Sequence, residues 1–260
     1  MSVKHENFKT CDQSGFCKRN RAYADSAASL SSSWTSPYAL DSASVTFSKG
    51  QLSGTILKTI TTSDQPVRLP VTISFFESGS VRITVDEEKR QKGDIELRHG
   101  SKARKERYNE AEKWAIVGGT KLSSGAATAK DAESGTTKVV YGPESKFEVI
   151  VTHSPFGVEF KRDGETHIRL NDRGLMNLEH WRPKVEKPQE EKKEGDTEDT
   201  EAKKETTEDE STWWDEAFGG NTDTKPRGPE SVALDVTFPG YEHVFGVPEH
   251  TGPLSLRQTR

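Results

Sequence analysis

The sequence predicts a mainly β protein, folded as an antiparallel β-sandwich, and three observations support this. Short apolar runs rich in Val, Ile, Thr and Phe recur along the chain, and Gly, Asp, Ser and Pro bound them, as is typical of β-strands. One run, Val81–Val85, alternates strictly between apolar and polar residues, which is the period of a half-buried strand. Turn signals recur about every 8–12 residues, the spacing that favours a sandwich.

The predicted strands lie in three stretches of the chain. They are Ser44–Phe47, Gly54–Leu57, Leu69–Phe75 and Val81–Val85, then Lys138–Tyr141, Phe147–Val151, Gly157–Phe160 and His167–Leu170, and finally Ser231–Phe238 and Glu242–Gly246. Arg162–Glu165 is a predicted hairpin turn, because its Asp-Gly pair tolerates the positive φ that tight hairpins require. Helical periodicity is nearly absent, and Lys105–Trp114 is the best helical stretch.

Composition divides the chain unevenly. Hydrophobic residues other than glycine make up 30% of it and charged residues another 30%, whereas globular domains carry about 45–50% apolar residues when glycine is counted. Part of the chain therefore lies outside any core, or the chain is one piece of a larger protein that supplies the remaining apolar core. The net charge is −5, yet Glu186–Glu210 alone holds twelve acidic residues and five lysines, a net of −7. No basic stripe with interleaved aromatics is present, which argues against nucleic acid as a partner.

Four regions follow from this pattern. Residues 1–40 are expected to form an extended arm with one short closed loop, and residues 41–184 the β-sandwich. Residues 185–212 lack aromatic side chains and are expected to be disordered, because they cannot bury enough apolar surface to offset their ordering entropy. Residues 213–260 return to the strand pattern and rejoin the sandwich.

An aromatic cluster opens the last region. Trp213, Trp214 and Phe218 are spaced so that one short helical turn would place two of them on the same face. We interpret the cluster as an anchor that docks the chain again after the acidic insert. A carbohydrate-stacking platform and a contact with a partner protein are the alternatives.

Two cysteines, Cys11 and Cys17, both lie near the amino terminus. The residues alone leave three possibilities: free thiols, half of a metal site, or a short disulfide loop. A metal site has little support, because zinc takes about four ligands and only Asp12 and His5 are close in sequence. No apolar stretch reaches the length of a membrane span, so none is expected.

The sequence offers no recognisable catalytic constellation. Asp41, Asp64 and Asp172 are acids at turns or strand ends, and spacing cannot identify the paired carboxylates of a glycosidase. There is no Gly-X-Ser-X-Gly elbow and no His-X-X-X-His pair. Val117–Gly119 is not a dinucleotide fingerprint. On residues alone, this is a β-rich protein of unknown task.

Two motifs change this interpretation. Asn7–Arg21 reads Asn-Phe-Lys-Thr-Cys-Asp-Gln-Ser-Gly-Phe-Cys-Lys-Arg-Asn-Arg, and Phe238–His250 reads Phe-Pro-Gly-Tyr-Glu-His-Val-Phe-Gly-Val-Pro-Glu-His. Both resemble the α subunits of glucosidase II, in glycoside hydrolase family 31. Ser231–Val236, Asn171–Met176 and Lys225–Ser231 occur at the places that the resemblance requires. The resemblance spans the whole chain in order.

The resemblance implies a β-sandwich that precedes a (β/α)8 catalytic barrel. In the family, aspartates on the barrel serve as nucleophile and acid. The enzyme removes α-1,3-linked glucose from N-glycans in the lumen of the endoplasmic reticulum, with retention of configuration. The barrel is absent from this chain, because the sequence ends before any barrel strand and lacks the family's Trp-X-Asp-Met-Asn-Glu motif. No catalytic residue is therefore assigned, and we expect the barrel to follow Arg260, as a separate chain.

The resemblance also supplies the remaining expectations. It places Glu249 and His250 at the rim of the substrate pocket, with a structural role for Glu249 in fixing nearby loops as the alternative. It favours a disulfide between Cys11 and Cys17, which suits an oxidising compartment. The expected partners are the remainder of the α subunit, the lectin-like β subunit and a glucosylated N-glycan, and no cofactor or metal is expected. The competing functions are a free-standing carbohydrate-binding sandwich and a protein-interaction module whose amino-terminal arm recruits the β subunit.

Overall fold

The structure is a computed structural model that describes residues 8–61, 63–88, 120–131, 133–180, 213–225, 228–229, 231–246 and 255. Strands dominate these ranges, as predicted, and one α-helix accompanies them, α1 (Gly15–Leu30). The strands are β1 (Tyr38–Leu40), β2 (Thr46–Ser48), β3 (Gln51–Ile60), β4 (Ser63–Phe75), β5 (Val81–Val85), β6 (Ala127–Asp131), β7 (Thr136–Tyr141), β8 (Phe147–Thr152), β9 (Gly157–Arg162), β10 (Glu165–Leu170), β11 (Asn177–Leu178), β12 (Asp215–Phe218), β13 (Asn221–Thr224), β14 (Val232–Ala233) and β15 (Val236–Thr237). Over these ranges, no helix has the length and apolar character needed to cross a membrane.

The chain divides into two compact units. The smaller unit comprises Met1–Ser31, Lys89–Arg104 and Asn177–Ala233. The sandwich unit comprises Ser32–Glu88, Lys105–Met176 and Leu234–Arg260. The smaller unit is therefore assembled from segments that are far apart in sequence.

Two antiparallel sheets form the sandwich unit. In one, the strand order is β1-β3-β4-β5, and β2 also pairs with β3. In the other, the order is β15-β10-β9-β8-β7-β6. Every strand pair in both sheets is antiparallel. The prediction of an antiparallel sandwich is confirmed.

The sandwich core follows from the two-residue period of the strands. Alternate residues of β4 are buried, as are alternate residues of β7 and β8. The ring centroids of Phe75 on β4 and Tyr141 on β7 lie 5.1 Å apart, so the two sheets are in direct contact. Each such side chain contributes roughly 1.5–3 kcal/mol on leaving water. The buried apolar residues of these strands are Val67, Leu69, Val71, Ile73, Phe75, Val139, Tyr141, Val149 and Val151.

The predicted hairpin between β9 and β10 is confirmed. Arg162 pairs with Glu165 across a two-residue loop. Its central residues, Asp163 and Gly164, have φ values of 50° and 86°. Positive φ at both positions matches the twist of the flanking strands, which explains why Asp-Gly occupies the loop.

Phe147, the first residue of β8, fills the space beside two glycines. A Cβ atom at Gly79 or at Gly142 would come within 2.5 Å of its ring. Both glycines also have positive φ, +87° and +77°. The ring therefore packs on bare backbone, and only glycine fits at the two positions.

Two sequence-based expectations are wrong. Gly15–Leu30 is a helix rather than an extended arm. The segment after Gly15 contains neither proline nor glycine, so no residue in it interrupts a helix. Ala27 is its one buried residue. Glu242–Gly246 forms no strand; it follows a turn in which the Tyr241 amide donates to the Phe238 carbonyl at 3.3 Å. Two further calls, on Lys105–Trp114 and on residues 185–212, lie outside the described residues.

Candidate functional site

Lys9, in the amino-terminal motif, binds carboxylates of the smaller unit together with Lys225. Lys9 Nζ lies 2.7 Å from Glu216 Oε2 and also bonds to Asp223. Its Nζ also lies 5.2 Å from the ring centroid of Phe218, which is on the β12–β13 hairpin together with Glu216 and Asp223. Lys225 binds the other oxygen of Glu216. Two lysines therefore neutralise one buried carboxylate and its neighbour.

Arg19 makes the second set of contacts. Its Nε donates to Glu179 Oε1 at 2.5 Å, and the two side chains are only 9% and 5% exposed. The guanidinium also lies 5.0 Å from the ring centroid of Trp213. The other oxygen of Glu179 accepts a hydrogen bond from the Ser231 amide at 3.2 Å. A buried charge is tolerated only when it is paired and hydrogen-bonded, and here both conditions hold.

Gly15 lets the first turn of α1 approach these carboxylates. A Cβ atom at this position would overlap Glu216 Oε1 and would lie 2.7 Å from an Arg19 nitrogen. The glycine of the amino-terminal motif thus leaves room for the ends of the Glu216 and Arg19 side chains.

Neither buried glutamate is arranged as a catalytic acid. Burial by itself would raise the pKa of Glu216, but hydrogen bonds from Lys225 and Lys9 outweigh it and lower the pKa. A glycosidase general acid needs a raised pKa instead. Glu179 is held by Arg19 and Ser231. Both carboxylates are therefore engaged by cations and hydrogen-bond donors of the smaller unit itself.

Asp235 joins two of the motifs within the sandwich unit. Its carboxylate accepts hydrogen bonds from the backbone amides of Arg173 at 2.8 Å and Leu175 at 2.9 Å. Its carbonyl accepts one from the Asn171 amide at 3.0 Å. Asn171 has a φ of 58°, and its side chain accepts from the Met176 amide at 2.7 Å. The Asn171–Met176 motif is therefore a loop that Asp235 and Asn171 hold in place.

Cys11 and Cys17 are both free thiols in the structure, and their side chains contact one another. Burial and the hydrogen bond with Cys11 raise the pKa of Cys17. The disulfide between them remains a prediction. Among the described residues, no three His, Cys, Asp or Glu side chains cluster in a way that could hold a metal ion.

The aromatic cluster after the insert is placed differently from the prediction. Asp215–Phe218 is a strand of the β12–β13 hairpin, so the expected helical turn is wrong. Trp214 is nevertheless buried, with Gly228 against its ring. Its carbonyl accepts from the Lys225 amide at 2.7 Å. These contacts support the role of an anchor.

A group of large apolar side chains lies exposed on the sandwich unit. Leu234, Val236, Tyr241 and Phe245 are 44%, 45%, 55% and 58% exposed, and we call them the apolar surface. The hydroxyl of Tyr241 lies 2.6 Å from His167 Nδ1. Val236 belongs to β15, an edge strand of its sheet. The four residues lie within twelve positions of the sequence, and a contiguous exposed apolar patch is what marks a contact surface.

The sequence-based site residues are only partly placed. Glu249 and His250 lie outside the described residues. The pairing residues Glu179, Glu216 and Asp235 were not identified from the sequence, because a carboxylate that pairs with a residue distant in sequence has no local signature. The amino-terminal motif did single out Lys9 and Arg19, although their roles required the structure.

Known proteins resemble this chain along its whole length. The family described as glycosyl hydrolase 31 N-terminal galactose mutarotase-like domain matches residues 70–260. The glucosidase 2 subunit alpha of Schizosaccharomyces pombe is 34% identical over 99% of this chain and 26% of its own length. The chain spans about a quarter of the length of the relatives that it matches.

Solved structures agree. A crystal structure of a glucosidase II alpha subunit with Glc1Man2 bound has a TM-score of 0.77 and 56% identity, covering 98% of this chain and 25% of that one. A heterodimeric complex of ER glucosidase II, formed by the catalytic subunit and the binding domain of the regulatory subunit, gives a TM-score of 0.76 and 57% identity over 97% of this chain and 25% of that one. The chain therefore belongs to the N-terminal galactose mutarotase-like domain family of glycosyl hydrolase 31.

Proposed function

We propose that this chain is the non-catalytic amino-terminal part of the α subunit of a glucosidase II, and that it supports a catalytic barrel carried by the rest of that subunit. The family match over residues 70–260 supports the assignment to this domain. The names of the relatives support the type of enzyme. The quarter-length coverage leaves ample sequence in those relatives for a barrel.

The apolar surface is the observation that carries this proposal. Leu234, Val236, Tyr241 and Phe245 expose about half of their area within one short stretch. Transfer of apolar surface out of water is favourable by about 25 cal/mol per Å², so a partner that covers these side chains gains stability. The same stretch overlaps the Phe238–His250 motif, which ends at Glu249 and His250. The remainder of the α subunit is the partner that fits, because it follows in the same polypeptide of the relatives.

Catalysis is assigned to that remainder. A retaining glycosidase needs two carboxyl groups about 5–5.5 Å apart on a rigid scaffold. The buried carboxylates of the smaller unit, Glu179 and Glu216, are each bound by cations instead. The substrate class that we propose is a glucosylated N-glycan, supported by the Glc1Man2 bound in a relative. The regulatory β subunit and the lumen of the endoplasmic reticulum are the proposed partner and location, supported by the heterodimeric relative.

Two residue-level proposals accompany this function. Glu249 and His250 lie at the rim of the substrate pocket, where substitution would raise KM more than it lowers kcat. Cys11 and Cys17 form a disulfide, which the contact between their side chains supports. Intact mass before and after alkylation without a reductant tests the disulfide, and free thiols in protein from an oxidising compartment would refute it.

A carbohydrate-binding module is the alternative function. Tyr241 and Phe245 are exposed aromatic residues, and such rings can stack on sugars. Calorimetric titration of this chain with an α-1,3-linked glucose disaccharide distinguishes the two. Saturable binding that is lost in Tyr241→Ala favours the module, and no binding favours the supporting role.

The main test uses the complete α subunit. Leu234→Asp places a charge in the apolar surface, and we expect the half-life of α-glucosidase activity at elevated temperature to fall at least fivefold. Leu30→Asp is the matched control, because Leu30 is 51% exposed on α1 and outside this surface, and it should change the half-life less than twofold. Equal half-lives for the two variants would contradict the proposal, as would hydrolysis of a chromogenic α-glucoside by this chain alone.

A further inference from the structure

The amino-terminal segment contacts the chain on both sides of residues 181–212. Before that segment, Arg19 binds Glu179 and Asn20 accepts from the Asn177 side chain at 3.2 Å. After it, Arg19 lies over Trp213, and Lys9 binds Glu216 and Asp223 on the β12–β13 hairpin. A single arginine therefore touches both flanks.

We propose that Phe8–Leu30, the amino-terminal clasp, fixes the β12–β13 hairpin in the fold independently of chain continuity through residues 181–212. The clasp would hold the hairpin in place even when the chain is cut within those residues. This inference concerns the smaller unit alone and does not depend on the proposed function.

The length of the connection through residues 181–212 bears on the position of the hairpin. The hairpin follows 32 residues that lie outside the described ranges, numbers 181–212. Loop-closure entropy changes only slowly with chain length, so a 32-residue connection does not by itself fix where its ends lie. We therefore attribute the position of the hairpin to its contacts. Lys9 and Arg19 contact four residues after the segment, which are Trp213, Glu216, Phe218 and Asp223. Gly15 allows the helix to approach Glu216.

Other contacts join the flanks without the clasp, and they limit what it does. β11 pairs with β14, and the Glu179 amide donates to the Ser231 carbonyl at 2.9 Å. These bonds hold residues 231–233 to residues 177–179 directly. The proposal therefore concerns the β12–β13 hairpin and not β14.

Burial indicates which clasp residue matters most. Arg19 and Glu179 are almost fully buried, so removal of the arginine leaves a carboxylate without its cation. Arg21, on the same helix, pairs with Asp12 at 2.8 Å, but these side chains are 58% and 86% exposed. Exposed ion pairs contribute little, so Arg21→Ala is a matched control for Arg19→Ala.

The test combines cleavage with amide hydrogen exchange in the full-length protein. A recognition sequence for a site-specific protease replaces residues within 190–205, and exchange of Asp215–Thr224 is measured by mass spectrometry. We expect cleavage alone to change this exchange less than twofold. Arg19→Ala and Lys9→Ala should each raise it at least tenfold, with or without cleavage, while Arg21→Ala should leave it within twofold.

Exchange of β4 in the same samples separates local from global effects. Unchanged β4 exchange beside a faster β12–β13 hairpin supports the clasp. A tenfold rise on cleavage of the unsubstituted protein would overturn the proposal, because the chain connection would then hold the hairpin. An equal effect of Arg19→Ala and Arg21→Ala, or an equal rise in β4 and the hairpin, would also overturn it.

Discussion

Asp235 should be among the most sensitive polar positions of the sandwich unit. Asp235→Ala removes the acceptor of two backbone amides, those of Arg173 and Leu175. Hydrogen bonds to a charged group contribute about 1.5–3 kcal/mol each. The Arg173 amide is exposed and can bond to water, whereas that of Leu175 is partly buried and loses its partner. We therefore expect Asp235→Ala to lower the free energy of unfolding by about 2–4 kcal/mol.

Urea denaturation of this chain, followed by circular dichroism, measures the effect. Asp172→Ala is the control, because Asp172 lies in the same loop and its ion pair with Arg169, among the described residues, is a long one of 3.8 Å. Asp172→Ala should lower the free energy of unfolding by less than about 0.5 kcal/mol. Asp235→Asn keeps an amide oxygen as acceptor, so its loss of unfolding free energy should lie between those of Asp235→Ala and Asp172→Ala. The reasoning is refuted if Asp235→Ala and Asp172→Ala are equally stable.

Three further predictions concern packing and ionisation. Burial raises the pKa of Tyr141 to about 12, so the stability it contributes is retained below about pH 10 and lost as the pH rises above it. Spectroscopic titration should show a late tyrosine signal that Tyr141→Phe reduces. Burial, and then the charge of Lys130, lower the pKa of His153, so stability should fall as the pH drops below about 6.5, by at most about 1.4 kcal/mol per pH unit. His153→Gln should flatten that dependence, and an unchanged slope would contradict it. Gly15→Ala should cost about 1–3 kcal/mol by displacing Glu216, whereas Gly125→Ala, with open space around it, should be nearly neutral in the same urea experiment.

The strands of the sandwich were predictable because their side chains alternate between core and solvent. Leu69–Phe75 and Phe147–Val151 carry that pattern, and both fall within observed strands. The Asp-Gly turn was predictable for a local reason, since its backbone needs positive φ. β6 (Ala127–Asp131) was missed, because all of its residues are exposed and no alternation marks it.

Helix α1 was missed for a different reason. A surface helix is recognised by an apolar stripe, but α1 buries Ala27 alone and docks through Arg19 and Asn20. Its partners Asn177 and Glu179 are more than 150 positions away in sequence. No local pattern encodes such a pairing. The same limit applies to the candidate site, where the motifs marked the right segments and the structure was needed to show which residues pair.

Phe147 and the two glycines beneath its ring form a set that cannot change one member at a time. A larger residue at Gly79 or Gly142 overlaps the ring, and a smaller residue at Phe147 leaves a void over both glycines. Substitutions at these three positions should therefore be non-additive, with Phe147→Leu relieving part of the cost of Gly79→Ala. The relief stays incomplete, because φ at Gly79 is +87° and disfavours any side chain. Sequence drift at this corner of the sandwich thus requires paired changes, and single substitutions there are a poor guide to what the fold tolerates.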